Sequence, residues 1–339
     1  MKISFVVYNN LKKNKIFDPK IVGTDFYKIL RHKLEKKNIQ IATNDIINEN
    51  DADIIIYENY FGPYKKNSFF LATESIAVIP KFHSKKFLKK FEKSFTWNDS
   101  LVDNQKCIKF FLSYNLNSSI DFVDFNKKKL ITNISSNKYS SFKDELYSKR
   151  VELIKFFDRN HRDKFDLYGS DWDFQFKYPT QYNLIKSLSH YKGFGPFKKL
   201  LIKLIDFLKL NDLFFESYNS YKGTITDKLN TLKNYKFNIC FENVTNIDSY
   251  ISEKIFDSFK SGCVPIYYGS NNIDLLIPKK AFIDFRDFKN LEDLNTFLMN
   301  MKSHEYERYI LEAQNFIKSN KSKIFRSESN AEIFIKNIL

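Results

Sequence analysis

The sequence predicts an α/β fold of two facing Rossmann-like domains with a cleft between them. Apolar runs of strand length alternate with helical patterns along nearly the whole chain, which is typical of parallel sheets covered by helices. The alternation comes in two consecutive sets, separated by the basic stretch 127–129. A chain of 339 residues is also longer than one ordinary hydrophobic core accommodates.

The first set surrounds one clear helical stretch. Residues 25–37 place Phe26, Leu30 and Leu34 at helical spacing, which predicts a helix with one buried face. Short apolar runs before and after it predict strands at 3–8, 39–43, 53–57, 69–73 and 108–112. Together these elements form a doubly wound unit, which we assign to residues 1–127.

The second set begins after residues 127–129 and predicts a second sheet of the same kind. Its strands are expected at 130–135, 165–168, 235–241, 264–268 and 281–285, and its helices at about 144–158, at 252–261 and from 291 onward. We therefore expect a second domain at 128–315 and a helical segment at 316–339. Open α/β sheets bind ligands at the carboxyl ends of their strands, so the cleft between the domains is the predicted site.

An insertion at about 171–220 interrupts this alternation. Within it, residues 197–210 have helical spacing, with Lys199, Lys203 and Asp206 on one face and apolar residues on another. The pattern fits a basic amphipathic helix on a membrane surface. It also fits a surface helix packed on its own domain, the interpretation that we favour.

The composition gives a formal net charge of +15, from 55 Lys and Arg against 40 Asp and Glu. These cations are spread along the whole chain, which favours a diffuse solvated surface over a dedicated patch. An anionic membrane surface or an acidic substrate stays open as a partner. Nucleic acid is not expected, because basic clusters interleaved with exposed aromatics and RNA-binding motifs are absent.

The three cysteines (Cys107, Cys240 and Cys263) lie far apart in apolar runs and form no CxxC pair. This spacing favours buried thiols in a reducing compartment over a disulfide framework or a zinc site. The apolar run at the start of the chain is too short for a signal peptide, and no stretch has the 18 uncharged apolar residues of a transmembrane helix. The expected location is cytoplasmic, with peripheral contact to the inner face of a bacterial membrane left open.

The most informative segment is 235–269, which reads as strand, loop, helix, stop and strand. Ser252 is predicted to cap the helix, and Gly262 to end it. Lys254 lies in the first turn, where backbone N–H groups and the helix dipole favour an anion. A negative ligand such as phosphate is therefore expected to compensate this lysine.

This segment resembles the donor-binding signature of the α1,3-fucosyltransferases, glycosyltransferase family 10. The matching residues are Phe241-Glu242-Asn243, Tyr250-Ile251-Ser252-Glu253-Lys254, Gly262-Cys263-Val264-Pro265, Gly269, Ala281-Phe282-Ile283-Asp284 and Asp287-Phe288. Weaker matches are Leu71-Ala72-Thr73-Glu74, Phe95-Thr96-Trp97-Asn98-Asp99, Ile134-Ser135-Ser136-Asn137 with Arg150, Phe165-Asp166-Leu167-Tyr168-Gly169, and Tyr221-Lys222-Gly223 followed by Lys228. The resemblance implies a GT-B type fold.

The resemblance also implies the site. Residues 1–127 would be the acceptor-side domain, and Glu74 in it would be the catalytic base that takes a proton from the acceptor hydroxyl. The donor GDP-fucose would be bound by Ser136, Asn137, Arg150, Asn243, Tyr250, Ser252, Glu253 and Lys254. Among these, Arg150 and Lys254 would stabilise the charge of the leaving diphosphate. From the residues alone, Glu74 is equally an ordinary carboxylate at a strand end.

The implied reaction is inverting, metal-independent transfer of L-fucose to a glycan hydroxyl, with no cofactor. The family's usual acceptor is GlcNAc O3 of N-acetyllactosamine-type glycans, here in cell-surface glycans such as lipopolysaccharide. Two alternatives remain: the same fold with another nucleotide-activated deoxysugar, and a non-catalytic basic binding protein. Asp171-Trp172-Asp173 looks like a metal-binding DxD motif, but three-residue patterns arise often by chance and we predict no metal there.

Overall fold

The computed structural model describes residues 1–18, 20–21, 23–116, 123–172, 175–176 and 215–339, with side chains omitted at 175–176 and 215–216. Two parallel sheets organise this part of the chain. The first has six strands, in the spatial order 40–43, 2–6, 54–58, 69–72, 94–96 and 107–109. The second has five, in the spatial order 283–284, 264–268, 235–241, 129–134 and 165–168. The α/β architecture with two parallel-sheet domains, predicted from the alternation of apolar runs, is confirmed.

The first sheet is built from short strands that are buried along most of their length. Its strands are β1 (Lys2–Val6), β2 (Gln40–Thr43), β3 (Ile54–Glu58), β4 (Phe69–Ala72), β5 (Ser94–Thr96) and β6 (Cys107–Lys109). Helix α1 (Asp25–Glu35) buries Phe26, Leu30 and Leu34 against the sheet, as its spacing predicted, and α2 spans Lys85–Leu88.

The second sheet comprises β7 (Lys129–Ile134), β8 (Phe165–Tyr168), β11 (Tyr235–Phe241), β12 (Val264–Tyr268) and β13 (Ile283–Asp284). A separate antiparallel pair is formed by β9 (Gln175–Phe176) and β10 (Phe215–Glu216). The helices are α3 (Tyr147–Asn160), α4 (Lys228–Leu232), α5 (Glu253–Lys260), α6 (Ile273–Leu276), α7 (Leu291–Asn300), α8 (Ser303–Lys318) and α9 (Ser327–Ile338).

The last helix returns to the first domain. Phe334 of α9 packs its ring against Phe26 of α1, with 5.7 Å between ring centroids, and against Phe95 of β5, at 4.3 Å. The chain therefore starts in the first domain, builds the second and closes on the first. This return fixes the two domains relative to each other, because α8 packs on the second sheet just before it.

Several predicted elements differ in extent. Strands 165–168, 235–241 and 264–268 lie where they were predicted, but the expected strand 281–285 is only two residues long and follows a 3-10 turn at Lys279–Ala281. Strand β5 was missed, because three residues are too few to show alternation. The predicted helix at 197–210 lies outside the described residues. All three cysteines are buried and free, as expected.

Within the described ranges, no helix combines the length and apolarity that a bilayer crossing requires.

Candidate active site

A cleft of about 650 Å³ lies where the carboxyl ends of the two sets of parallel strands face each other. The first domain supplies Thr73 and Glu74, which follow β4, and Leu112, which follows β6. The second domain supplies the rest of the lining, from the segments after β7, β8 and β11 and from the starts of α3, α4 and α5. This is the position at which open α/β sheets bind ligands.

The structure brings eight of the nine predicted site residues to this cleft: Glu74, Ser136, Arg150, Asn243, Tyr250, Ser252, Glu253 and Lys254. Asn137 is the exception, since its Nδ2 donates to the carbonyl of Asp171 at 3.0 Å, outside the lining. The roles of all nine in binding or catalysis stay predictions.

Glu74 is held by its backbone. Its N–H donates to Asn59 Oδ1 at 3.1 Å, and its carbonyl accepts from Trp97 Nε1 at 3.3 Å. His83 Nε2 lies 2.9 Å from the same carbonyl. Burial lowers the pKa of His83 to about 4, so the ring is neutral at pH 7 and its Nε2 carries the proton that this bond needs. The side chain of Glu74 is half-buried, and its Oε1 accepts from Ser75 N at 2.7 Å.

Asn59 shapes this loop from the neighbouring strand. It has a left-handed backbone with φ of 44°, a conformation that asparagine tolerates better than most residues. From there its Oδ1 accepts from Thr73 N and from Glu74 N, at 3.0 and 3.1 Å. One side-chain amide thus fixes the chain direction at the point where β4 delivers Glu74 to the cleft.

A second carboxyl group, Glu58, lies beneath Glu74. It is buried and accepts hydrogen bonds from Tyr27 Oη and Thr73 Oγ1. Burial raises its pKa to about 7; the two hydrogen bonds oppose that rise, and the negative charge of Glu74 adds to it. Glu58 is therefore largely a neutral acid below pH 7.

On the opposite wall, Lys254 in the first turn of α5 lies 3.4 Å from Glu242 Oε2 and 3.0 Å from Ser252 Oγ. Glu242 is 0% exposed, and its other oxygen accepts from Ser252 N at 2.7 Å. Lys254 therefore has a negative partner in this buried carboxylate, and the expectation that a phosphate binds beside it stays a prediction. Ser252 stands at the predicted N-cap position of the helix, but its hydroxyl accepts from Lys254 Nζ and makes no hydrogen bond to a backbone N–H of the first turn.

Gly269 makes room for this buried carboxylate. A Cβ at Gly269 would lie 2.5 Å from Glu242 Cγ, which is closer than atoms in proteins approach. The Glu242 side chain lies directly against the Gly269 backbone, which explains why this position of the motif is a glycine.

Lys228, at the start of α4, contributes a second ammonium group. It pairs with Asp257 at 2.9 Å and with Glu253 at 3.4 Å. Desolvation opposes ionisation of Glu253, but the charges of Lys254 and Lys228 outweigh it and lower the pKa of Glu253 to about 2. Half of the Glu253 side chain (50%) stays open to solvent, so this carboxylate is charged and accessible at neutral pH.

Arg150 is almost fully buried and already forms hydrogen bonds within the protein. It is 3% exposed, and one terminal nitrogen donates to the carbonyls of Phe241 and Glu242, at 2.8 and 3.1 Å. Its guanidinium carbon also lies 5.3 Å from the ring centroid of Tyr147. The guanidinium therefore holds the end of β11 against α3 while still forming part of the cleft wall.

Tyr250 joins the two walls. It is 3% exposed, its hydroxyl accepts from Asn243 Nδ2 at 3.2 Å, and its ring packs on Trp97 of the first domain with 4.6 Å between ring centroids. Burial and the charges of Glu242 and Glu74 raise its pKa, so the hydroxyl keeps its proton.

Among the described lining residues, four are cationic (Lys138, Arg150, Lys228 and Lys254) and two are carboxylates (Glu74 and Glu253). This excess of positive charge suits a diphosphate. Sequence reasoning omitted Lys138, Lys228 and the buried Glu242 from the site. Lys228 and Glu242 are among the residues that match the fucosyltransferase signature in the sequence, and that match could have identified them as site residues.

No group of three or more His, Cys, Asp or Glu side chains in the described ranges is arranged to hold a metal ion. Asp171 has a left-handed backbone, and Trp172 beside it is buried and donates to the carbonyl of Ser135. Asp173 lies outside the described residues, so the structure leaves the DxD prediction untested.

This arrangement of two parallel-sheet domains around a charged cleft is the GT-B fold of glycosyltransferases. The structure matches the crystal structure of an alpha1,3-fucosyltransferase with GDP-fucose over 100% of this chain and 90% of that one, with a TM-score of 0.55 and 16% identity. It also matches T4 phage BGT in complex with UDP and Mn2+, with a TM-score of 0.55 and 13% identity, over 100% of this chain and 99% of that one. The predicted GT-B fold is confirmed.

Residues 188–329 match the model of glycosyltransferase family 10 (fucosyltransferase) C-term. An alpha-(1,3)-fucosyltransferase of Helicobacter pylori is 33% identical over 87 residues, which cover 26% of this chain and 18% of that protein. An alpha-(1,4)-fucosyltransferase of Arabidopsis thaliana is 34% identical over 70 residues, 21% of this chain and 17% of that protein. The chain thus matches about a fifth of the length of these relatives, and the family resemblance predicted from the sequence is confirmed.

Proposed function

We propose that this protein is an inverting fucosyltransferase that uses GDP-fucose as donor and needs no metal. The observation that carries the proposal is one cleft with a carboxylate, Glu74, on the first domain and a cationic wall on the second. A reaction that deprotonates a nucleophile and expels a diphosphate needs those two features on opposite sides of the sugar.

In the proposed reaction, the acceptor hydroxyl oxygen forms a bond to the anomeric carbon as its proton passes to Glu74. The bond from that carbon to the diphosphate oxygen breaks, and GDP leaves with the electron pair. The ammonium groups of Lys254 and Lys228 and the guanidinium of Arg150 stabilise the charge that develops on the leaving group. One displacement inverts the anomeric centre, so a β-linked donor gives an α-fucoside.

Metal independence rests on these fixed cations. In the proposed scheme they supply the charge stabilisation that a divalent ion gives to diphosphate leaving groups in other enzymes. The relevant test is transfer in the presence of EDTA. Loss of transfer on chelation, with recovery on adding Mn2+ or Mg2+, would refute this part of the proposal.

The test of the whole proposal is incubation with GDP-fucose, N-acetyllactosamine and EDTA, with GDP release and fucosylated product measured by mass spectrometry. Glu74→Gln should abolish transfer while keeping donor binding, because the amide keeps the shape and loses the base. Glu92→Gln, an exposed glutamate distant from the cleft, is the matched control. Transfer that survives in Glu74→Gln would remove the assigned base.

The donor sugar and the acceptor are further parts of the proposal. N-acetyllactosamine, with transfer to GlcNAc O3, is the acceptor we propose, within cell-surface glycans such as lipopolysaccharide. GDP release without fucosylated product would retain the donor and reject this acceptor. If another GDP- or dTDP-deoxysugar is consumed faster than GDP-fucose in a side-by-side comparison, the proposed sugar is wrong.

We also propose peripheral contact with the inner face of a bacterial membrane, supported by the net charge of +15. Vesicles containing anionic lipid should co-sediment the protein at low salt and release it as salt rises, because such binding is electrostatic. Equal retention on neutral vesicles, or none on anionic ones, would contradict this.

A further inference from the structure

Trp97 is a residue at which the two walls of the cleft touch. It follows β5 directly, is wholly buried, and contacts both walls; its ring also packs on His83 of the first domain, with 4.9 Å between ring centroids. Its indole N–H donates to the carbonyl of Glu74 at 3.3 Å, and its ring lies 4.6 Å from the ring of Tyr250, between centroids. Glu74 and Tyr250 both line the cleft, from different domains.

The neighbours of Trp97 reinforce this bridge. The Trp97 carbonyl accepts from Lys109 Nζ at 2.7 Å, and Lys109 also pairs with Asp99. Asp99 in turn accepts from the hydroxyl of Ser249, the residue before Tyr250. Ser249 has a left-handed backbone with φ of 65°, so this bond holds a strained point of the donor-side loop.

The contact is also the centre of an apolar cluster shared by both domains. Trp97 and Ala77 of the first domain pack with Tyr147, Val244 and Tyr250 of the second. Buried clusters of this kind shift as units between discrete arrangements, because close-packed side chains deform little. A movement of Tyr250 is therefore passed to Trp97 and from there to the backbone of Glu74.

We propose that Trp97 is a positioning residue that couples the donor-side loop 244–250 to the base Glu74, so that donor binding and base placement are set together. This inference rests on the proposed function and deepens it. Trp97 is not among the residues that line the cleft; it acts through Glu74 on one side and Tyr250 on the other.

Fluorescence tests the coupling without turnover. The chain has two tryptophans, Trp97 and Trp172, so Trp172→Phe leaves Trp97 as the sole indole. Titration of this variant with GDP-fucose, and with GDP, should change the Trp97 emission saturably, with the Kd found by calorimetry on the same variant. Binding seen by calorimetry with no change in emission would overturn the inference.

Kinetics tests the positioning role. Trp97→Phe keeps an aromatic ring beside Tyr250 and removes one of the two ring N–H groups that bond to the Glu74 carbonyl, the other being that of His83. We expect kcat to fall about 10- to 100-fold while KM for GDP-fucose changes less than about 3-fold, because small misplacement of a catalytic group affects the chemical step most. Phe95→Leu is the matched control: a buried aromatic two residues away, packed on Phe110 and Phe334, whose loss should lower Tm and leave kcat unchanged.

The outcomes separate the two proposals. Transfer by the wild type with kcat unaltered in Trp97→Phe would overturn the coupling and leave the fucosyltransferase proposal standing. If calorimetry detects neither GDP-fucose nor GDP binding, the proposed function falls and this inference falls with it. Equal loss of kcat in Phe95→Leu and Trp97→Phe would reduce Trp97 to a structural residue.

Discussion

The wholly buried carboxylate of Glu242 lies 3.4 Å from the ammonium group of Lys254. It also accepts from the backbone N–H of Ser252 at 2.7 Å, so one side chain organises both the start of α5 and the lysine in its first turn. Lys254 keeps 15% of its side chain exposed, on the cleft side. The pair therefore fixes the Lys254 ammonium group, in the absence of a ligand, at the place where a diphosphate is expected to bind.

Glu242→Gln should destabilise the free protein and increase its response to GDP. The amide still accepts from Ser252 but leaves Lys254 without its counter-charge, a loss on the order of 3 kcal/mol for a buried pair. Bound GDP would restore a negative partner, so saturating GDP should raise Tm more in the variant than in the wild type. Equal shifts would show that Glu242 does not hold Lys254 for the ligand; Glu92→Gln serves as control.

Replacing Asn59 with Gly should lower kcat and leave the fold intact. Glycine accepts the left-handed backbone of this position but lacks the amide that binds Thr73 N and Glu74 N. We expect a drop of about 10- to 100-fold in kcat from misplacement of the base. Asn67→Gly is the matched control, since Asn67 has φ of 56° on the exposed surface. A similar loss of activity in both variants would contradict the assignment.

Glu58 should make the wild type lose stability as pH rises. Burial raises the pKa of Glu58 from 4.5 to about 7, so its contribution is fully present below pH 4.5 and is lost as pH rises through 7. Glu58→Gln keeps the acceptor for Tyr27 and Thr73 and does not ionise. Its free energy of unfolding, relative to the wild type, should increase by about 3 kcal/mol between pH 4.5 and 7. A difference that stays flat in urea titrations across this range would refute the burial of this carboxyl group.

His83 should make the wild type lose stability as pH falls, the opposite of the effect of Glu58. Burial lowers the pKa of His83 from 6.5 to about 4, so its contribution is present above pH 6.5 and is lost as pH falls through 4. His83→Gln cannot take up that proton. Relative to the wild type, the variant should therefore gain about 3 kcal/mol in unfolding free energy on going from pH 7 to pH 4. Urea titrations at several pH values measure it, and a gain in the reverse sense would exclude a buried neutral imidazole.

Much of the second sheet follows from local patterns. Residues 235–241 alternate apolar side chains over seven positions, and the helix at 253–260 repeats them at helical spacing, so both elements were located closely. Strand β5 was not predicted, because the three residues Ser94–Thr96 are too few to show an alternating pattern. Its parallel pairing with β4 and β6 creates it, and that pairing depends on residues distant in the chain.

The sequence by itself determined the two-sheet architecture, the donor-side motif and most of the residues that reach the cleft. Those features depend on the spacing of residue types along the chain, which the sequence shows directly. Only the tertiary structure decided how the charges are paired. Whether Glu242 is a surface carboxylate or the buried partner of Lys254 depends on the packing of Gly269 against it. Likewise, Trp97 meets Tyr250 across 153 positions of sequence only where the folded domains pack against each other. Burial and proximity set pKa values and couplings, and both belong to the folded molecule rather than to any local pattern.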